Sequence, residues 1–292
     1  MGCAPDEVAA SGDVTIVATT TIVGDLVQRV AGDEAAVEVL VPRGADPHEF
    51  QASAQQAARL RDADLVVSSG LGLEQGLEDV LAGAAADGVS VLELGPSLDP
   101  RPLDPDAEDH GEDHGDGAGL DPHWWLDPIR AARAVELVAE RLGTIADGDW
   151  EARAEAYVAE LQALDQEIER GVAEVPAERR KLVTSHESLG YFADRYGFEV
   201  IGVIIPGGST AAEPSAAGFA QLVEAIRRED VPAIFGETTV STGLSESLAR
   251  EVGRDVQVVV LYTESLDDPG TPADSYVGMM RTNLERIVDA LS

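Results

Sequence analysis

Two α/β lobes with parallel sheets, bridged by one long α-helix, are the fold class this sequence predicts, with a binding site in the cleft between the lobes. Three observations carry that expectation. Short β-rich runs alternate with helical stretches along both halves of the chain. The alternation is interrupted once, by an unbroken helical pattern from Trp150 to Val175. And 292 residues, 44% of them hydrophobic, suffice for one large or two medium globular units.

In chain order, Val14 to Ala18 reads as a strand. Thr19-Thr20-Thr21 then offers caps for a helix with apolar residues at Ile22, Leu26, Val27 and Val30, ending at Gly32. Strands are expected at Ala36 to Val41, Leu65 to Ser68 and Val89 to Leu94, separated by helices over 53–61 and 73–84. Pro96 to Leu120 loses all apolar periodicity and reads as a surface loop, with its acidic core at 104–117. A helix over Pro128 to Leu142 follows, and then the long one, with Ala154, Val158, Leu161, Leu164, Ile168 and Val172 at helical spacing. The second half repeats the alternation: strands at Lys181 to Ser185, Glu199 to Ile205, Pro232 to Gly236 and Val256 to Tyr262, and helices at Leu189 to Tyr196, 214–228, 242–252 and 273–291. The expected division is a tether at 1–12, an amino-terminal lobe at 13–148, a linking helix at 149–177 and a carboxyl-terminal lobe at 178–292.

Composition excludes several classes. Against 20 Lys and Arg stand 55 Asp and Glu, for a net charge of −35, and no basic stripe is present, so nucleic acid is not an expected partner. No apolar run reaches the roughly 18 residues of a transmembrane helix. The single cysteine, Cys3, precludes an internal disulfide. Followed by a polar stretch to Asp13, it reads as the acylated cysteine of a bacterial lipoprotein, the alternative being a chance cysteine in an unstructured terminus.

The five histidines are the informative residues. His48 lies in Gly44-Ala45-Asp46-Pro47-His48-Glu49-Phe50, after a strand and behind a stiffening proline. His123 lies in Asp121-Pro122-His123-Trp124-Trp125-Leu126-Asp127-Pro128, between restricting prolines. His186 directly follows a strand, at the end where α/β sheets place ligand-contacting residues. Taken singly they read as a solvated side chain, a histidine packed on aromatics and a helix cap. Together, spread over two lobes at loops and strand ends, they can converge on one point, as a metal requires. Imidazole suits zinc and its neighbours, and a tetrahedral site needs one more ligand. Asp274, at the junction before the last helix, is the geometric candidate, with a helix cap as the alternative. His110 and His114, each in Glu-Asp-His-Gly, form a loose cluster of weak cation ligands within the acidic loop, or else part of a merely solvated one.

These residues resemble the zinc/manganese class of metal-binding solute-binding proteins that serve ABC importers. The resemblance runs from Val14 to Leu291 and rests on ADPHEFQAS at 45–53, DPHWWLDP at 121–128, TSHESLGYFADRYG at 184–197, the stretch 213–237 and DSYVGMMRTNLERI at 274–287. It implies a metal held by His48, His123, His186 and Asp274, with Glu237 and Asp127 as carboxylates supporting the ligands from behind. Gly236-Glu237-Thr238-Thr239 lacks the Pro-Gln that many members show after this Glu, which blurs the role of Glu237. The acidic histidine loop is similar to that of zinc-specific members, though short. Histidine at the third position, where the family has His or Glu, favours Zn2+ over Mn2+.

The resemblance therefore implies an extracytoplasmic, lipid-anchored monomer that captures zinc, or alternatively manganese, and delivers it to a membrane permease, without being an enzyme. A surface adhesin is a rival reading. A zinc hydrolase is another, with Glu49 or Glu187 as general base; no H-E-x-x-H is present, since residue 190 is Gly. Because imidazoles bind metal only when neutral, binding is expected to weaken as pH falls through about 6.5.

Overall fold

The computed structural model describes residues 14–103, 119–210, 212, 214–253 and 255–292. Cys3, His110 and His114 lie outside the described residues, as does the whole acidic stretch 104–117.

The amino-terminal sheet is built from β1 (Val14–Ala18), β2 (Ala35–Val39), β3 (Leu65–Ser68) and β4 (Ser90–Glu93), in the order β2-β1-β3-β4 with every pair parallel. Its crossovers are α1 (Thr21–Ala31), α2 (Ala54–Asp62) and α3 (Glu78–Ala86). Thr20 caps α1 by accepting the Val23 amide, and Ser53 with Gln56 closes a reciprocal capping box on α2. The third crossover begins later than its apolar pattern suggests, because Gly70, Leu71 and Gly72 all take positive φ and only a 3-10 turn precedes Glu78.

The carboxyl-terminal sheet repeats the plan with β5 (Lys181–Thr184), β6 (Glu199–Val203), β7 (Ala233–Glu237) and β8 (Gln257–Leu261), ordered β6-β5-β7-β8 and all parallel. In both sheets the chain starts on an inner strand, steps to one edge and returns across. The connections leaving neighbouring strands therefore diverge and open a crevice at their carboxyl ends.

Between the sheets run α4 (Pro128–Gly143) and α5 (Trp150–Val172), the latter about 34 Å long at 1.5 Å per residue. Trp150, Ala154, Tyr157, Leu161, Leu164, Ile168 and Val172 form the buried stripe of α5, with Tyr157 inside where the sequence suggested Val158. The helix packs on α4, on α1 and on α9 (Tyr276–Leu291). One cluster of buried apolar side chains consequently runs without a break from Ile16 and Leu26, through Leu142, Leu161 and Leu164, to Leu182, Met280 and Ile287. The carboxyl-terminal sequence is completed by α6 (Gly190–Tyr196), α7 (Ala216–Glu229) and α8 (Gly243–Val252). Among the described residues no helix is long and apolar enough to cross a membrane.

Candidate metal centre

Four side chains meet in the crevice: His48, His123, His186 and Glu264, whose donor atoms all lie within 4.8 Å of one another. His48 hangs in the loop after β2, and His123 just precedes the 3-10 turn Trp124–Leu126 that leads into α4. His186 follows β5, and Glu264 lies three residues beyond β8. Their exposures are 3%, 0%, 0% and 2%, so the cluster is stripped of bulk water. The Nε2 atoms of His123 and His186 are 3.1 Å apart. Glu264 Oε1 lies 3.0 Å from the first and 3.3 Å from the second, and Oε2 lies 3.5 Å from His48 Nε2. Four ligands at 2.0–2.1 Å from a tetrahedral ion would be about 3.3 Å apart, so these separations match the edges of a zinc-sized tetrahedron.

What stands behind the imidazoles decides which nitrogen is free. His123 Nδ1 is 2.8 Å from Asp121 Oδ1, and His186 Nδ1 is 2.7 Å from Glu237 Oε1. Asp121 also accepts the His123 amide and is paired with Arg101, while Glu237 accepts the hydroxyls of Ser185 and Thr263. A carboxylate only accepts, so each Nδ1 carries its proton and each neutral ring turns an Nε2 lone pair inward. Two lone pairs then face each other at 3.1 Å beside a carboxylate whose oxygens find no hydrogen bond of good geometry. His48 differs, since neither of its ring nitrogens has a hydrogen-bond partner.

Without a cation the site turns to protons. Burial disfavours a charged His123, but the Glu264 and Asp121 carboxylates outweigh it and raise its pKa to about 9. His186 is likewise raised well above the usual value, burial opposing and Glu237 with Glu264 prevailing. Against its own burial, Glu264 is held well below the usual carboxylate range by the facing His48 and His123. The donor set fits a divalent metal: three imidazoles, one carboxylate and the orphaned polar atoms that an ion would satisfy.

Sequence expectations about the supporting acids need correction. Asp274 is not in the cluster: its Oδ2 accepts the Gly270 amide at 2.8 Å, closing a local turn, and the cap of α9 is Ser275. The stretch 262–275 separates β8 from α9, and Glu264 stands at its strand end whereas Asp274 stands at its far end. Asp127 touches no ligand imidazole. It caps α4 through the Ile129 amide and pairs with Arg130 and Arg195, and the acid on His123 is Asp121 instead. Glu187 accepts the Gly207 amide at 3.2 Å, and Glu49 is exposed.

Comparison with known proteins places the chain in a family of metal-binding proteins. The model of the ZnuA family, zinc-uptake complex component A, periplasmic, matches residues 16–290. The chain is 31% identical over 298 residues to the manganese-binding lipoprotein MntA of Halalkalibacterium halodurans, covering 100% of this chain and 94% of that protein. It is 33% identical over 295 residues to the zinc-binding protein TroA of Treponema pallidum, covering 98% and 91%. The solved structure of that periplasmic zinc-binding protein superposes with a TM-score of 0.85 at 32% identity, covering 96% of this chain and 100% of the other. A manganese-bound mutant of a periplasmic metal-binding protein from Candidatus Liberibacter asiaticus gives 0.83 at 25% identity, covering 96% and 100%. With parallel twin sheets, a buried cluster of three histidines and a glutamate, and a family match over nearly its whole length, the chain belongs to the ZnuA family of metal-binding solute-binding proteins of ABC importers.

Proposed function

We propose that this protein captures Zn2+ outside the cytoplasm, holding it with His48, His123, His186 and Glu264, and hands it to the permease of an ABC importer. The observation that carries the reading is the pair of buried Nε2 atoms 3.1 Å apart, each fixed as a lone-pair donor by a carboxylate on its Nδ1. Only a shared cation or a retained proton reconciles that arrangement. Metal binding without turnover fits the relatives named zinc-binding or manganese-binding. Lipidation of Cys3 would tether the chain to the outer face of the membrane, a reading supported by a relative named a lipoprotein. It is proposed to act as a monomer.

One observation supports manganese as a second reading. Glu264 presents Oε1 to His123 and His186 but Oε2 to His48, so both oxygens face the cluster and the donor set can reach five. Competition decides between the two: the chelator-stripped chain is titrated with zinc and manganese together, and the coordination number is read by X-ray absorption. One zinc per chain in a four-ligand shell of nitrogen and oxygen is expected. Manganese retained against equimolar zinc, with five or more ligands, would overturn the zinc assignment.

A further inference from the structure

With its donors fully covered, the site can exchange an ion only if some covering segment moves. The stretch following β6 runs between the two lobes and is tied to both. Its first residues are tied to the turn that carries His186: the amides of Ile204 and Ile205 donate to the carbonyls of Thr184 and Ser185, and the Gly207 amide donates to Glu187 Oε1. Its far end crosses to the amino-terminal lobe. Gly208 approaches so closely that a Cβ there would sit 2.9 Å from Leu103 Cδ1 and 3.3 Å from Pro122 Cδ. Thr210, 8% exposed, donates its hydroxyl to Asp46 Oδ2 at 2.6 Å.

Asp46 does a second thing. Its other oxygen, Oδ1, accepts the backbone amide of His48 at 2.9 Å. His123 and His186 are each aimed by a carboxylate on Nδ1, whereas the His48 ring has no hydrogen-bond partner at either nitrogen. His48 is therefore oriented through its backbone, and that backbone is fastened through one carboxylate to the opposite lobe.

We propose that the Thr210–Asp46 hydrogen bond is the latch of the metal site: it joins the 204–210 segment to the amino-terminal lobe and, through the same carboxylate, presents His48 to the ion. Asp46 and Thr210 are thus positioning residues that set how long the metal stays. The inference rests on the reading of the four-residue cluster as the metal site. When the latch opens, His48 loses its register and becomes the first ligand to leave.

The test follows Zn2+ release from the zinc-loaded chain into excess chelator by stopped flow. Thr210→Val keeps the size and removes the hydroxyl; since a hydrogen bond to a charged group contributes about 1.5–3 kcal/mol, release should quicken by at least about tenfold. Thr210→Ser keeps the hydroxyl and should stay within about twofold of the parent. In an Asp46→Ala background, Thr210→Val should add nothing further, the signature of a shared interaction. Release from Thr210→Val at the parental rate, or Thr210→Ser as fast as Thr210→Val, would overturn the latch. A parent chain that takes up no zinc after stripping would instead sink the metal reading beneath it.

Discussion

Before metal arrives, His123 and His186 hold protons that an incoming ion must expel. His123, raised to about 9 by Glu264 and Asp121 against the opposing effect of burial, is charged at neutral pH until metal arrives. Binding at pH 7 should therefore release protons, and apparent affinity should climb with pH towards about 9, well above the 6.5 of a free imidazole. The sign for stability follows from the same shift. A folded pKa above the unfolded one stabilises fully below about 6.5, and that contribution is lost as pH rises through about 9. Melting temperatures of the chelator-stripped chain should fall between those limits while those of the zinc-loaded chain hold steady; parallel curves would contradict it. The three histidines were legible in the sequence because each sits in a loop or at a strand end, spread over two lobes where they can converge. Glu264 was not. Thr263-Glu264-Ser265 carries no local mark, and the strand-end rule that singles out His186 applies to it equally, yet Asp274 at a helix start drew the assignment.

At the scale of elements, the connection after β8 belongs mechanically to the opposite lobe. Ser265 Oγ accepts the Gly44 amide at 2.9 Å, the Leu266 amide donates to the Thr21 hydroxyl, and Arg43 donates to the carbonyls of Asp267 and Asp274. Trp125 adds a further tie: its indole N–H donates to the Thr263 carbonyl at 2.7 Å while its ring lies 5.4 Å from that of His123. One side chain thus braces two ligands. Trp125→Phe, which keeps a ring but loses the donor, should weaken zinc binding by about tenfold in a competition titration, in line with about 1–1.5 kcal/mol for a buried hydrogen bond. An unchanged affinity would show that Glu264 needs no such brace. Strands and helices themselves were readable from periodicity; some limits shifted where caps or positive φ intervened, as at Ser275 and Gly70-Leu71-Gly72, and others by a few residues, as at the ends of β2, β6 and α5. The ties between lobes were not readable, because an apolar stripe announces that a face is buried without saying against what.

Across the whole molecule, each sheet keeps a small apolar cluster of its own, around Val66 in one lobe and Ile234 in the other, but its remaining face packs into one large core shared through α5. Leu161 and Leu164, both buried on that helix, should each cost about 2–5 kcal/mol on truncation to alanine. They should lower one calorimetric transition rather than split it in two, and resolved separate melts would show that the lobes fold apart. The same continuity limits how the protein can let go of its cargo. Swinging the sheets widely apart would drag α1 and α9 off a shared helix and expose apolar surface from both. Opening is therefore confined to the rim, where the segment after β6 crosses. In solution scattering, the loaded and empty chains should trace nearly the same outline, with one radius of gyration serving both.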